Sequence, residues 1–112
     1  MIEVVLRQKH EATIVSIKGD VDLYSSPQVR KAIIALTEKR APVIMVDLHH
    51  VGYMDSSGVA TLVEGLQQAG KYKGKFKLFG LTLAVREVFE LSRLDKVFEI
   101  YPNEDAAFGS LA

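Results

Sequence analysis

Four consecutive apolar residues, Val43-Ile44-Met45-Val46, run into Asp47-Leu48 with no polar residue among them. A run this short, rich in β-branched side chains and without a polar face, suits a central strand covered on both sides. The flanking segments therefore have to supply that cover.

They read as alternating strands and helices. Val4 and Leu6 open a short alternating segment, and Ala12, Ile14 and Ile17 open a second, with the polar Gln8-Lys9-His10-Glu11 between them. Two antiparallel strands over about 2–8 and 12–18 are expected, closed by Gly19. Ser25-Ser26-Pro27-Gln28 starts a helix, with Ser26 as the cap and Pro27 in the first helical position. Val29, Ala32, Ile33 and Leu36 form its apolar face, opposite Arg30, Lys31 and Lys39, and it ends near Arg40, before Ala41-Pro42. A second helix follows the turn Gly52–Gly58. Its stripe is Val59, Leu62, Val63 and Leu66, opposite Thr61, Glu64, Gln67 and Gln68, with Gly70 and Gly74 bracketing its end. Lys75–Gly80 is a strand through Phe76, Leu78 and Phe79. A third helix spans about 82–92 with Val85, Val88 and Phe89 inward, Val97–Tyr101 is a last strand, and Asn103 caps a final helix holding Ala106, Ala107 and Phe108. The order ββαβαβαβα implies an α/β domain with a mixed, mostly parallel sheet after an antiparallel N-terminal hairpin.

The 112 residues fit one domain over 1–112. Apolar residues at 48% and charged residues at 25% are those of an ordinary soluble globular protein and argue against disorder. Fourteen basic and fourteen acidic residues cancel, so no long-range field gathers nucleic acid or an anionic membrane, and neither is expected as a direct partner. The lack of cysteine excludes disulfides, thiol catalysis and cysteine-based zinc sites. Met1–Arg7 carries an acid and no basic n-region, unlike a signal peptide, and no apolar stretch approaches the ~20 residues of a membrane span. A cytoplasmic protein is expected.

The stretch Val46–Gly58 is the most informative. A buried strand runs into a tight turn, and Asp55-Ser56-Ser57-Gly58 stands where the next helix begins. Ligand and partner sites of open α/β sheets gather at such carboxyl ends of strands. First-turn amides of a helix are unpaired and partly positive, so a phosphate added there would be stabilised. The alternative is that Asp55, Ser56 and Ser57 only cap the helix. A serine hydrolase would need a Gly-x-Ser-x-Gly elbow, and Met54-Asp55-Ser56-Ser57-Gly58 lacks its first glycine. Its base would be His49 or His50, but adjacent residues on a strand point to opposite sides. A metal site on His49, His50 and Asp47 meets the same objection, with His10 distant in the first hairpin, so no metal is expected and the histidines read as solvated. Lys71, Lys73, Lys75 and Lys77, with Tyr72 and Phe76, lack the Ser or Thr of a P-loop and read as a solvated helix end and strand edge. Asp20 and Asp22 read as solvated turn carboxylates.

Taken together, Gly19-Asp20-Val21-Asp22, Val46-Asp47-Leu48 leading to Met54-Asp55-Ser56-Ser57-Gly58, and Val85–Leu91 with Leu94 and Phe98 resemble the bacterial anti-sigma-factor antagonists, which are single STAS domains. The resemblance implies a non-enzymatic, cofactor-free switch. The unphosphorylated protein would bind an anti-sigma factor that is also a serine kinase, and so free a sigma factor. Phosphorylation of the second serine, here Ser57 rather than Ser56, would end the complex, and a metal-dependent serine phosphatase would reset it. The implied partner surface comprises Asp20, Asp22, Tyr24, Ser25, Asp55, Ser56, Ser57, Gly58 and Thr61, on a monomer or weak homodimer. If the strands before these two loops are parallel neighbours, the loops lie side by side. Two positions depart from the pattern: Arg93 stands where glycine is frequent and Leu83 where proline is common. The alternative within the family is a STAS scaffold or accessory subunit of a stress-signalling complex or lipid transporter.

Overall fold

The computed structural model describes residues 2–112. Strands β1 (Glu3–Lys9) and β2 (Ala12–Lys18) form the hairpin, then α1 (Ser26–Glu38), β3 (Val43–His50), α2 (Ser56–Lys71), β4 (Lys75–Phe79), α3 (Leu83–Leu91), a 3-10 turn (Leu94–Lys96), β5 (Glu99–Tyr101) and α4 (Glu104–Gly109). The hairpin loop is only His10-Glu11; Gln8 and Lys9 belong to β1, and His10 takes a φ of 55° to make the turn. The strands lie in chain order, β1-β2-β3-β4-β5, antiparallel at β1–β2 and parallel thereafter.

Val43–Leu48 is buried throughout, as its lack of a polar face requires. Alternation sends Ile44, Val46 and Leu48 into the larger core, with Val15 and Ile17 of β2, Phe76 and Leu78 of β4, and the inward faces of the first three helices. Val43 and Met45 face the other way, toward Ala12, Ile14, Phe79 and Ala107 of α4. Helices α1 and α2 approach closely because Gly65 leaves room: a Cβ there would lie 2.7 Å from Ile33 Cγ2 and 2.8 Å from Phe76 Cε1. Outside, Arg30 clasps Glu64 through two hydrogen bonds of 2.7 Å.

Three local expectations need correction. The N-cap of α1 is Ser25, not Ser26; Ser26 is the first helical residue and is buried, and Ser25 spends its side chain on the preceding loop. Thr61 is not on the polar face of α2 but 7% exposed, because its hydroxyl turns back to donate to the Ser57 carbonyl at 3.0 Å. Lys77 is not part of a solvated patch. It is 2% exposed on the α4 side of β4, with Nζ 2.6 Å from Glu99 Oε1 and over the Tyr101 ring. β5 pairs with β4, so Lys77 points at side chains more than twenty residues away.

Both departures from the family pattern sit where backbone geometry explains the usual residue. Arg93 has a φ of 61°, the left-handed region that glycine enters freely. Leu83 is the first residue of α3, where proline forfeits no hydrogen bond.

Candidate functional site

β2 and β3 are parallel neighbours, so their carboxyl ends open on the same edge and their following loops meet. Val21 and Met54 form an isolated parallel bridge: the Val21 amide donates to the Tyr53 carbonyl at 2.9 Å, and the Asp55 amide to the Val21 carbonyl at 3.1 Å. Asp20–Ser25 and Asp55–Gly58 are thereby one surface.

Each loop is held by a carboxylate. Asp22 Oδ1 accepts from the Tyr24 amide at 2.9 Å, the Ser25 amide at 3.0 Å and the Ser25 hydroxyl at 3.2 Å. Ser25 Oγ also accepts from the Asp22 amide at 2.9 Å, and its one proton is shared between Asp22 Oδ1 and the closer Asp20 carbonyl at 2.8 Å. Asp22 is therefore the organiser of its loop, whereas the sequence suggested only a solvated carboxylate; Asp20 is exposed. Asp55 is the N-cap of α2. Its Oδ1 accepts from the Ser57 amide at 2.9 Å and the Gly58 amide at 3.4 Å, and from the Ser57 hydroxyl at 2.5 Å. The Ser57 hydroxyl, then the amides of Ser57, Gly58 and Leu23, hold the Asp55 carboxyl below its ordinary range against desolvation.

This changes the expected electrostatics. Two of the first-turn amides that were to receive a phosphate, those of Ser57 and Gly58, are already taken by Asp55. A phosphate on Ser57 would lie beside that carboxylate rather than in an empty anion site. Ser56 is exposed and Ser57 half-buried. Gly58 serves by its size: a Cβ would meet Met54 Cγ at 2.7 Å and Val21 Cγ1 at 2.8 Å, the two residues that join the loops. Around these polar groups lie exposed Leu23, Tyr24 (91% exposed) and Tyr53. Leu23 and Tyr53 were missed in the sequence, although large apolar residues inside polar turns were signal enough.

His49 and His50 do not point to opposite sides. Their ring centroids are 3.8 Å apart, because β3 carries an extra residue where Ser16 and Lys18 pair with Asp47 and His50, and the bulge breaks the alternation. His49 Nδ1 meets the buried Asp47, and the hydroxyl of Ser57 pairs with Asp55 rather than with a histidine. Among the described residues no group of three or more His, Asp or Glu is arranged to hold a metal ion, and no helix is long and apolar enough to cross a membrane.

Residues 3–107 match the STAS domain family. The chain belongs to it. It is 30% identical to the anti-sigma-B factor antagonist of Bacillus subtilis over 99 residues, which is 88% of this chain and 90% of that protein. With the anti-sigma-B factor antagonist of Listeria monocytogenes it shares 31% over 84 residues, 75% of this chain and 74% of the relative. The crystal structure of an anti-sigma factor antagonist from Mycobacterium paratuberculosis superposes with a TM-score of 0.91 at 28% identity, covering 98% of this chain and 93% of that one. The STAS sheet, its helices and the Asp-Ser-Ser-Gly turn are thus set in a family whose named relatives are regulators.

Proposed function

We propose that this STAS domain is an anti-sigma factor antagonist that acts by binding, without catalysing a reaction of its own, and that Ser57 is its switch. Unphosphorylated, it docks the surface built from Asp20, Asp22, Tyr24, Ser25 and Asp55–Gly58 on an anti-sigma factor that is also a serine kinase. Thr61 takes part indirectly, through the Ser57 carbonyl. The kinase modifies Ser57 and the complex separates; a metal-dependent serine phosphatase restores it.

The observation that carries this reading is the setting of Ser57: a half-buried hydroxyl held toward Asp55, on a rim of exposed Leu23, Tyr24 and Tyr53. Phosphorylation adds roughly −1.5 to −2 charges. With Asp55 already holding the Ser57 and Gly58 amides, fewer backbone donors are left there to absorb those charges. The fold survives because the site is wet, while a partner packed over it meets an uncompensated dianion.

Incubating the protein with its anti-sigma factor and ATP, followed by phosphopeptide mapping, tests the assignment. Phosphate on Ser57 is expected; phosphate confined to Ser56 overturns it.

A further inference from the structure

The two edges of the sheet differ. β5 has three residues, too few to template another strand, whereas β1 has seven, all exposed except the partly buried Val4. Long edges are usually blunted by charged side chains, proline, a bulge or a covering segment, and β1 carries the charges of Glu3, Arg7 and Lys9. β1 has no proline, and its pairing with β2 runs unbroken from Glu3↔Lys18 to Lys9↔Ala12. Arg7 and Lys9 hold Glu104 of α4, at 2.7 and 3.1 Å, and Glu3 is the acid at the other end of the strand. Laid antiparallel on itself about Leu6, the sequence Glu3-Val4-Val5-Leu6-Arg7-Gln8-Lys9 sets Glu3 against Lys9, Val4 against Gln8, and Leu6 against Leu6.

The backbone agrees with that register. A two-residue loop makes Lys9–Ala12 a mutually bonded pair, and such pairs alternate along a hairpin. Glu3, Val5, Arg7 and Lys9 therefore turn their amides and carbonyls to β2, while Val4, Leu6 and Gln8 turn theirs outward. Centring on Leu6 brings outward groups opposite outward groups. Val5 is 44% and Leu6 49% exposed, and Leu36, Ala41 and Pro42 line a hollow beside Leu6 that would receive the partner's apolar side chain.

We propose that β1 is a self-association edge: a second copy of this chain adds antiparallel about a two-fold axis at Leu6, joining two five-stranded sheets into one. The contact is a single strand pair, so the dimer is weak. β1 begins beside the Asp20–Ser25 loop, where Ile2 shares a hollow with Asp20, Asp22 and Tyr24, but its outward edge lies across β2 from β3 and the Asp55–Gly58 turn that follows it.

Sedimentation equilibrium of the full chain from micromolar to millimolar concentration is the test. A reversible monomer–dimer equilibrium is expected. Glu3→Lys and Lys9→Glu each set like charges opposite one another twice, and each should weaken the dimer about tenfold. An equimolar mixture of the two variants should recover it, since every charged pair is then opposite in sign. Amide exchange on the unaltered protein gives a readout that needs no variant: Val4, Leu6 and Gln8 should gain protection with concentration, and Val5 and Arg7 should not. A monomer throughout, variants that dimerise like the parent, a mixture of folded variants that stays monomeric, or unchanged exchange at Val4, Leu6 and Gln8 overturns the proposal.

Discussion

Asp55 accepts from two first-turn amides and from the hydroxyl of Ser57, so its charge and that hydroxyl are coupled. Its carboxyl lies below the ordinary range in the folded protein. A group depressed in this way contributes stability that is present above its unfolded value and is lost as pH falls through its folded value. Thermal melts of the parent and Asp55→Asn should therefore differ at pH 7 and converge as pH drops below about 4. A gap that persists unchanged to pH 2 would show that the charge is irrelevant to the cap. Lys77 makes a second case. Glu99→Ala strands a buried ammonium and should cost about 1–2 kcal/mol, the low end for such pairs because Glu99 is itself 57% exposed and screened. Lys77→Met replaces the charge with apolar volume and should cost less than about 1 kcal/mol. Urea denaturation of both variants checks the order.

At the scale of elements, the first turn of α2 is pressed against the bridge between the two loops. Gly58 is there for space, since a methyl would enter both Met54 and Val21. Gly58→Ala gains up to about 1 kcal/mol in helix propensity but loses about 1–3 kcal/mol to overpacking. A net loss of about 1 kcal/mol in denaturant stability is expected. The displaced turn also moves Ser57 relative to Asp22, so affinity for the anti-sigma factor should fall by more than that loss of stability. An affinity equal to the parent's would mean that the two loops need not be held together for binding.

Across the whole molecule, the legible features were those carried by local pattern. The unbroken Val43–Val46 run, the 3.6-residue stripes and the cap at Asn103 each announced their element, and the order ββαβαβαβα followed, with Asn103 Oδ1 accepting from the Ala106 amide at 2.8 Å. Strand adjacency then placed Asp22 beside Asp55. Features decided by distant or irregular contacts were hidden. Lys75 and Lys77 look alike in sequence, and only β5 makes Lys77 a buried partner of Glu99. A bulge that no residue type signals put His49 and His50 together. At Asp55-Ser56-Ser57, three capping residues in a row left open which one takes the amides; the choice of Asp55 fills that anion site, and the proposed switch then works through repulsion at the interface.

That claim is tested most directly by calorimetric titration of the anti-sigma factor with the parent protein and with Ser57→Asp. The carboxylate loses the hydroxyl bond to Asp55 and adds a like charge in a wet setting, so the melting point should stay within a few degrees of the parent's. Buried under a partner, the same charge goes without water or counter-charge, at a cost on the order of several kcal/mol. Binding at least about 100-fold weaker is expected, at roughly 1.4 kcal/mol per tenfold. Parent-like affinity, or a melting point that collapses, would contradict it and reduce Ser57 to a structural part of the helix cap.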